Sequence, residues 1–392
     1  MNIQEFLSYL RNLDVKLWVD SVTTSTPEAR LRCNAPKGTL TPDLRAELTQ
    51  RKAEIIQFLF EENRLKEVRN TIKESLINIC FLCGDRNLPL VISPTIDKVN
   101  LVIWAEKNQD LIQNNLLNYG AILFRNFNVS GVEEFEQFIK VTSQGELLDY
   151  TYRSTPRTQV SGKIYTSTEY PADQSIPLHN ENAYSCVWPM KIGFFCVETA
   201  EQGGETPIAD SRKVFQSLDS TIKDQFIQKK VMYVRNYGEL DLSWQNVFQT
   251  TNKLEVENYC RQSGIEFEWS SNHLRTRQVC QAVAKHPSTK EMVWFNQAHL
   301  FHVSSFKPEI REALLSFYKE DELPRNAYYG DGSPIESSVL DEIREIYQQE
   351  TVTFSWQEGD ILLLDNMLAA HGRMPFVGKR KIVVGMAEPS KF

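Results

Sequence analysis

The chain has 392 residues, 41% of them hydrophobic and 24% charged, with a formal net charge of -8. That length carries one large domain and a small one, and the acidic balance excludes the basic footprint of a nucleic-acid binder. The seven cysteines are scattered and odd in number, as expected of reduced thiols in the cytoplasm and not of a disulfide framework. The opening Met1-Asn-Ile-Gln-Glu lacks the basic stretch and apolar core of a signal peptide, and no run approaches a membrane span.

Residues 1–60 read as a small separate unit. Ile3, Phe6, Leu7 and Leu10 recur at helical spacing, and Val15-Lys-Leu-Trp-Val19 alternates like a half-buried strand. Ala29-Arg-Leu-Arg-Cys33 and a partner at Gly38-Thr-Leu40, joined across Asn34-Ala-Pro-Lys37, suggest a hairpin. Thr41-Pro42-Asp43 is a helix start, with a capping hydroxyl, a proline at the first helical position and an early acid. Leu44, Leu48, Ile55 and Leu59 line one side of the helix that follows. A unit this small has a thin core and is often completed by a partner.

Residues 61–80 begin with a charged, helix-forming run and read as a linker. Cys80-Phe-Leu-Cys83 has no second C-x-x-C and no nearby histidine pair, so it reads as two packing cysteines and not as half a zinc site. From residue 81 the pattern is of many short strands with helices between them. Gly120-Ala-Ile-Leu-Phe-Arg125 and Lys191-Ile-Gly-Phe-Phe-Cys-Val197 are strands; Val132–Ile139 and Asp219–Lys230 are helices. Further strands are expected at Val293–Asn296, Thr351–Trp356, Ile361–Leu364 and Lys379–Met386, and a helix at Pro308–Glu320. Such a chain folds as α+β, mainly β: a sandwich or barrel with helical decoration.

Within it, His179-Asn-Glu181 stands out. In an extended chain residues i and i+2 point to one face, so one imidazole and one carboxylate project together. That is two thirds of the 2-His-1-carboxylate set that holds Fe(II) and leaves open positions. His371, just past the strand Ile361–Leu364, is a candidate third ligand. Gly203-Gly-Glu-Thr-Pro207 makes a tight turn that presents Thr206. Of the six histidines, His273 and His286 sit in polar contexts and are expected to be exposed. His299 and His302 form an i, i+3 pair expected to be packed or superficial. A zinc hydrolase would need a companion general base, and none stands at a recognisable spacing.

Two resemblances add to this. Met1–Leu10, Val15–Val19 and Leu31-Arg-Cys-Asn-Ala-Pro-Lys-Gly-Thr-Leu-Thr41 resemble the TubC-type N-terminal docking domain of nonribosomal peptide and polyketide assembly lines. This implies a surface near Arg30–Thr39 that catches the C-terminal tail of an upstream synthetase by strand pairing. From about residue 85 onward, His179-Asn-Glu181, Gly204-Glu-Thr206 and His371-Gly-Arg373 with Arg380 resemble the TauD/TfdA family of Fe(II)/2-oxoglutarate dioxygenases, on a double-stranded β-helix (jelly-roll) fold. Thr166-Ser-Thr-Glu-Tyr-Pro171, Trp294–His302 and Asn326–Pro334 resemble its SyrP-type members, which serve peptide assembly lines.

The resemblance implies that His179, Glu181 and His371 bind iron, and that Thr206 and Arg380 hold the distal carboxylate of 2-oxoglutarate. An arginine fork suits that task, although a one-residue slip in Lys379-Arg380-Lys381 would aim Lys381 inward instead; Arg373 is a lesser candidate. It further implies O2 as cosubstrate and an amino-acid unit, tethered to an aminoacyl carrier protein, as substrate. Family halogenases replace the carboxylate ligand with a small residue, so Glu181 implies hydroxylation. A free amino acid or released peptide, desaturation, and a homo-oligomer stay open. A non-catalytic docking adaptor is the other reading, and the intact residue set argues against it. Tyr152, Arg153 and Asn296 are placed near these motifs as candidate pocket residues.

Overall fold

The computed structural model describes residues 2–20, 30–59, 76–83, 86–150, 152, 154–238 and 241–391. The chain divides into two compact units, Met1–Ile77 and Asn78–Phe392. The linker expected over 61–80 lies outside the described residues as far as residue 75, and its last residues enter the strand Ile77–Cys83. Cys80 on that strand is exposed.

In the first unit, the helix Ile3–Asn12 starts at Asn2, whose side chain accepts from Glu5 N while the Glu5 carboxylate accepts from Asn2 N, a reciprocal cap. Its apolar side buries Phe6, Leu7 and Leu10 against Val15, Leu44 and Ile55. Thr41 caps the helix Pro42–Gln50 by accepting from Leu44 N, with the proline in the first turn. The expected hairpin is different. Arg30–Asn34 pairs antiparallel with Lys16–Asp20 and not with Gly38–Leu40. Pro36 has no N–H to give a ladder, and Gly38 takes φ +90°, which turns the chain away from a strand; Ala29 lies outside the described residues.

The second unit is built on an eight-stranded sheet. Its middle strands are Ala121–Phe124, Ile361–Asp365, Val187–Glu198 and Lys381–Lys391, in that spatial order. The run Ile361-Leu-Leu-Leu-Asp365 is buried throughout because strands flank it on both edges and both sheet faces are covered. One face packs on the helix Val132–Thr142, where Phe135 stacks on Phe195. The other face closes on a three-stranded sheet of Ile208–Asp210, Ala369–Arg373 and Ile176–His179. Phe194, Leu362, Leu364, Ile382 and Val384 from the large sheet share a core with Ile208 and Ala369 from the small one. This is a jelly-roll core. A four-stranded sheet with its own helices, drawn from residues between 231 and 329, packs a second core around Tyr233 and Trp294. No helix among the described residues is long and apolar enough to cross a membrane.

Two further expectations are corrected. Thr351–Trp356 is no strand: it makes a single bridge, Val352 to Ile208, and turns Phe354 and Trp356 into the core. His371 does not sit past a strand end but in the middle of its own strand, Ala369–Arg373. The turn after Ile361–Asp365 sends the chain into the small sheet at once.

Candidate metal centre

The centre is assembled by strand register. Ile176–His179 runs antiparallel to Ala369–Arg373 with His179 directly opposite His371, and the two rings lie 4.5 Å apart between centroids. Gly372 makes the approach possible, because a Cβ there would stand 2.6 Å from the Ile176 carbonyl oxygen. The strand ends at His179 and Glu181 belongs to the turn after it, so the carboxylate is not held by pleat alternation as the spacing suggested. The peptide group of Glu181 is held by Asn366. The Asn366 carboxamide accepts from Glu181 N at 2.7 Å and donates to Glu181 O at 2.9 Å and Pro189 O at 2.8 Å. Asn180, facing the other way, donates to Ser211 Oγ and Asn366 O.

Ligand atoms of His179, Glu181 and His371 then lie within 4.8 Å of one another. Glu181 Oε2 is 3.7 Å from His371 Nε2. Nδ1 of His179 lies 2.9 Å from the Pro177 carbonyl oxygen, which fixes the proton there and leaves Nε2 as a lone-pair donor. Burial pulls the His179 pKa down, and it pulls His371 well below the usual imidazole range, helped by His179 and Arg157. Both rings are therefore neutral at pH 7, as ligation requires. Two neutral imidazoles lining a cavity, with one carboxylate beside them, fit a divalent first-row metal with open positions.

The same cavity is bounded by Thr206 and Arg380. Gly203 and Gly204 carry φ of +70° and +76°, a left-handed turn that glycine takes without strain. A Cβ on Gly203 would stand 2.2 Å from Pro375 O, and one on Gly204 2.9 Å from Arg380 Cδ. Thr206 is buried, its hydroxyl accepting from Trp356 Nε1 at 3.0 Å. Arg380 donates from Nε to Gly204 O at 2.8 Å. It is desolvated, and burial with the nearby Arg373 pushes it down to about 10. A cation so placed is stabilised by an arriving anion. Lys381 instead is exposed and pairs in register with Glu198, so Arg380 and not Lys381 borders the cavity.

Of the remaining residues, Arg373 also lines this cavity. It is buried, donating to the carbonyls of Tyr170, Pro171 and Gln174, and so ties residues 170–174 to the strand Ala369–Arg373. Tyr152 packs in the second core against Tyr184 and Phe248. Asn296 donates to Ala282 O and accepts from Ala298 N. Neither lines this cavity, and Arg153 lies outside the described residues. His286, expected on the surface, is 1% exposed and lies 3.0 Å from Asp365 Oδ2; its polar neighbours in sequence hid a buried partner. His299 is buried against Leu178 O and His302 caps Ser304.

Two site residues were not foreseen. Asn366 follows the strand Ile361–Asp365, and a carboxamide straight after a run of apolar residues is a signal of buried hydrogen bonding. Arg157 forms a buried ion pair with Glu181 at 2.8 Å, and nothing in Thr-Pro-Arg-Thr announces it.

Residues 85–386 match the taurine catabolism dioxygenase TauD, TfdA family. The chain belongs to that family. This TauD/TfdA member is a 2-oxoglutarate-dependent non-haem iron dioxygenase, with Fe(II), 2-oxoglutarate and O2 as its cofactor and cosubstrates. Residues 3–61 match the TubC N-terminal docking domain. Dapdiamide synthesis protein DdaC of Enterobacter agglomerans is 44% identical over 280 residues, 71% of this chain and 85% of that protein. A clavaminate synthase-like protein of Arabidopsis thaliana, At3g21360, is 30% identical over 322 residues, 76% of this chain and 93% of that protein. Among solved structures, PvcB from Pseudomonas aeruginosa is 14% identical, covering 80% of this chain and 91% of that one, at a TM-score of 0.48, too slight a likeness to carry an argument.

Proposed function

We propose that His179, Glu181 and His371 hold the iron, that Thr206 and Arg380 hold the distal carboxylate of 2-oxoglutarate, and that the enzyme hydroxylates an amino-acid unit tethered to a carrier protein. The observation that carries this is the placement of three metal-competent donor atoms within 4.8 Å of one another, with the two histidines on a cavity shared with a desolvated arginine. Bound together, iron and 2-oxoglutarate supply the oxidative decarboxylation that activates dioxygen toward an unactivated C–H bond. The chain's own residues bind and orient. The Arg380 fork pairs a carboxylate and stays charged at neutral pH. The Thr206 hydroxyl, accepting from Trp356, turns its proton toward the cavity. Phe194 and Ile382 wall the cavity with apolar surface and limit water around the reacting groups. Glu181 fills the ligand position that a halogenase leaves for halide, so the product is hydroxylated and not chlorinated.

The carrier-bound substrate is supported by the docking domain at residues 3–61. In this reading that domain catches the tail of an upstream nonribosomal peptide synthetase or polyketide synthase in the cytoplasm. A 44%-identical relative is named for dapdiamide synthesis, a natural-product role consistent with it. The test is mass spectrometry of a panel of aminoacyl carrier proteins incubated with enzyme, Fe(II) and 2-oxoglutarate. The expected result is gain of one oxygen with matching succinate, abolished in His179→Ala. Chlorinated product in chloride buffer, or an unmodified panel beside a modified free amino acid, overturns it.

A further inference from the structure

Arg157 does more than pair with Glu181. Its side chain is 3% exposed and lies flat over Tyr150, the guanidinium carbon 4.5 Å from the ring centroid. Only Nη2 reaches Glu181; Nε and Nη1 are buried with no partner among the described residues. Two buried donor nitrogens of a cation left unpaired are costly, and such groups call for a partner that completes them. Arg157 lines two cavities. One is the metal cavity. The other, about 280 Å3, lies between Pro156–Thr158 and the helix Trp244–Phe248, and includes Glu169, Gln245 and Asn246.

Glu169 is positioned as carefully. Its Oε1 accepts from the hydroxyls of Thr158 at 2.7 Å and Thr166 at 3.0 Å. Two hydroxyl donors fix the carboxylate's orientation, and it forms no ion pair with Arg157, whose ion pair is with Glu181. One cavity therefore carries a held anion and a buried cation that do not neutralise each other, and it shares the cation with the metal ligands.

We propose that this second cavity is the substrate site and that it takes an α-amino-acyl unit: its carboxyl-derived oxygen on Nε and Nη1 of Arg157, its ammonium on Glu169, its side chain turned toward His179 and His371. The shared chemistry is a planar acyl oxygen, which a free carboxylate and a thioester carbonyl both offer. The site rests on the reading of an amino-acid substrate given above, and goes beyond it by naming what recognises that substrate.

The experiment uses the full-length chain loaded with Fe(II) and 2-oxoglutarate. Probes are the proteinogenic L-amino acids, presented free, as N-acetylcysteamine thioesters, and as the N-acetylated forms of both. Binding is read without oxygen from the visible absorption of the loaded enzyme, turnover from succinate. A lost charge-assisted hydrogen bond corresponds to tenfold or more in affinity. Glu169→Gln is expected to raise KM at least tenfold for the amine probes and to leave the weak KM of the N-acetyl probes where it was. Arg157→Lys is expected to weaken both classes. Preference for the thioester or for the free acid tells which source supplies the acyl oxygen. Equal use of amine and N-acetyl probes by the wild type, or an unmoved KM in Glu169→Gln, overturns the site while the amino-acid reading stands. If no probe binds an enzyme that shows the iron and 2-oxoglutarate band, the amino-acid reading falls with it and the oxygenase assignment does not.

Discussion

Asn366 offers the sharpest test of how the metal centre is built. Its side chain is fully buried and makes hydrogen bonds to Glu181 N, Glu181 O and Pro189 O. Asn366→Ala leaves one N–H and two carbonyls unpaired in a dry interior. Each orphaned group costs about 1–3 kcal/mol, so three bracket a loss of roughly 3–9 kcal/mol, with a water in the vacated space drawing it to the low end. Even about 3 kcal/mol is a large share of a stability of roughly 5–15 kcal/mol. Asn366→Asp separates hydrogen bonding from shape. It keeps the outline and the acceptor for Glu181 N, but turns a second oxygen against two carbonyls. Asp is therefore expected to be at least as harmful as Ala. Because the lost bonds belong to the peptide of Glu181, the proposed carboxylate ligand, iron affinity should fall about 10- to 100-fold as well. Urea unfolding of the full chain, followed by tryptophan fluorescence, reads the first effect, and anaerobic iron titration the second. An Asn366→Asp protein with wild-type midpoint and wild-type iron affinity would refute the reasoning.

Three more expectations follow from the geometry. Arg380→Leu should raise the KM for 2-oxoglutarate roughly 10- to 100-fold while Lys381→Leu, at the exposed start of the strand that follows, should not, as steady-state succinate assays would show. Gly372→Ala puts a methyl against the Ile176 carbonyl; about 1–3 kcal/mol of overpacking, measured by thermal unfolding, should come with weaker iron binding because the strands carrying His179 and His371 are pushed apart. The Cys186 thiol is drawn down to about 7 by its hydrogen bond with Cys280, whose sulfur is 3.8 Å away. The thiolate is the reactive form, so alkylation of the Cys186 peptide should rise through a midpoint near pH 7, and Cys280→Ala should move that midpoint up; an unmoved midpoint would remove Cys280 as the cause.

Much of the site was legible because its chemistry is local. His179 and Glu181 are close in sequence, the Gly203-Gly204 turn announces itself, and Arg380 lies at the start of an apolar strand. What hid were partnerships across the fold. Arg157 and Glu181 meet only because the chain returns past the small sheet, and Asn366 reaches the Glu181 peptide across strands far apart in sequence. His286 misled because Lys285 and Pro287 beside it look solvated, while its true neighbour, Asp365, sits on another strand. The N-terminal hairpin was mispaired for a related reason: Arg30–Asn34 satisfied its backbone with the earlier strand, and Pro36 and Gly38 had no ladder to give.

The register that sets His179 against His371 has one more effect. Ile176–His179 is an outer strand of its small sheet, with Ala369–Arg373 between it and Ile208–Asp210. A metal held by both imidazoles ties this outer strand to the middle one through side chains as well as backbone. It works as a removable cross-link, with a strength set by occupancy: about 2.7 kcal/mol at a hundredfold excess of free metal over Kd. Amide exchange at 176–179 should then slow by up to about a hundredfold on loading, while the four-stranded sheet keeps its rate. Iron starvation would be felt as fraying of this edge, so that the apo enzyme presents Ile176–His179 to proteases more readily than the loaded one.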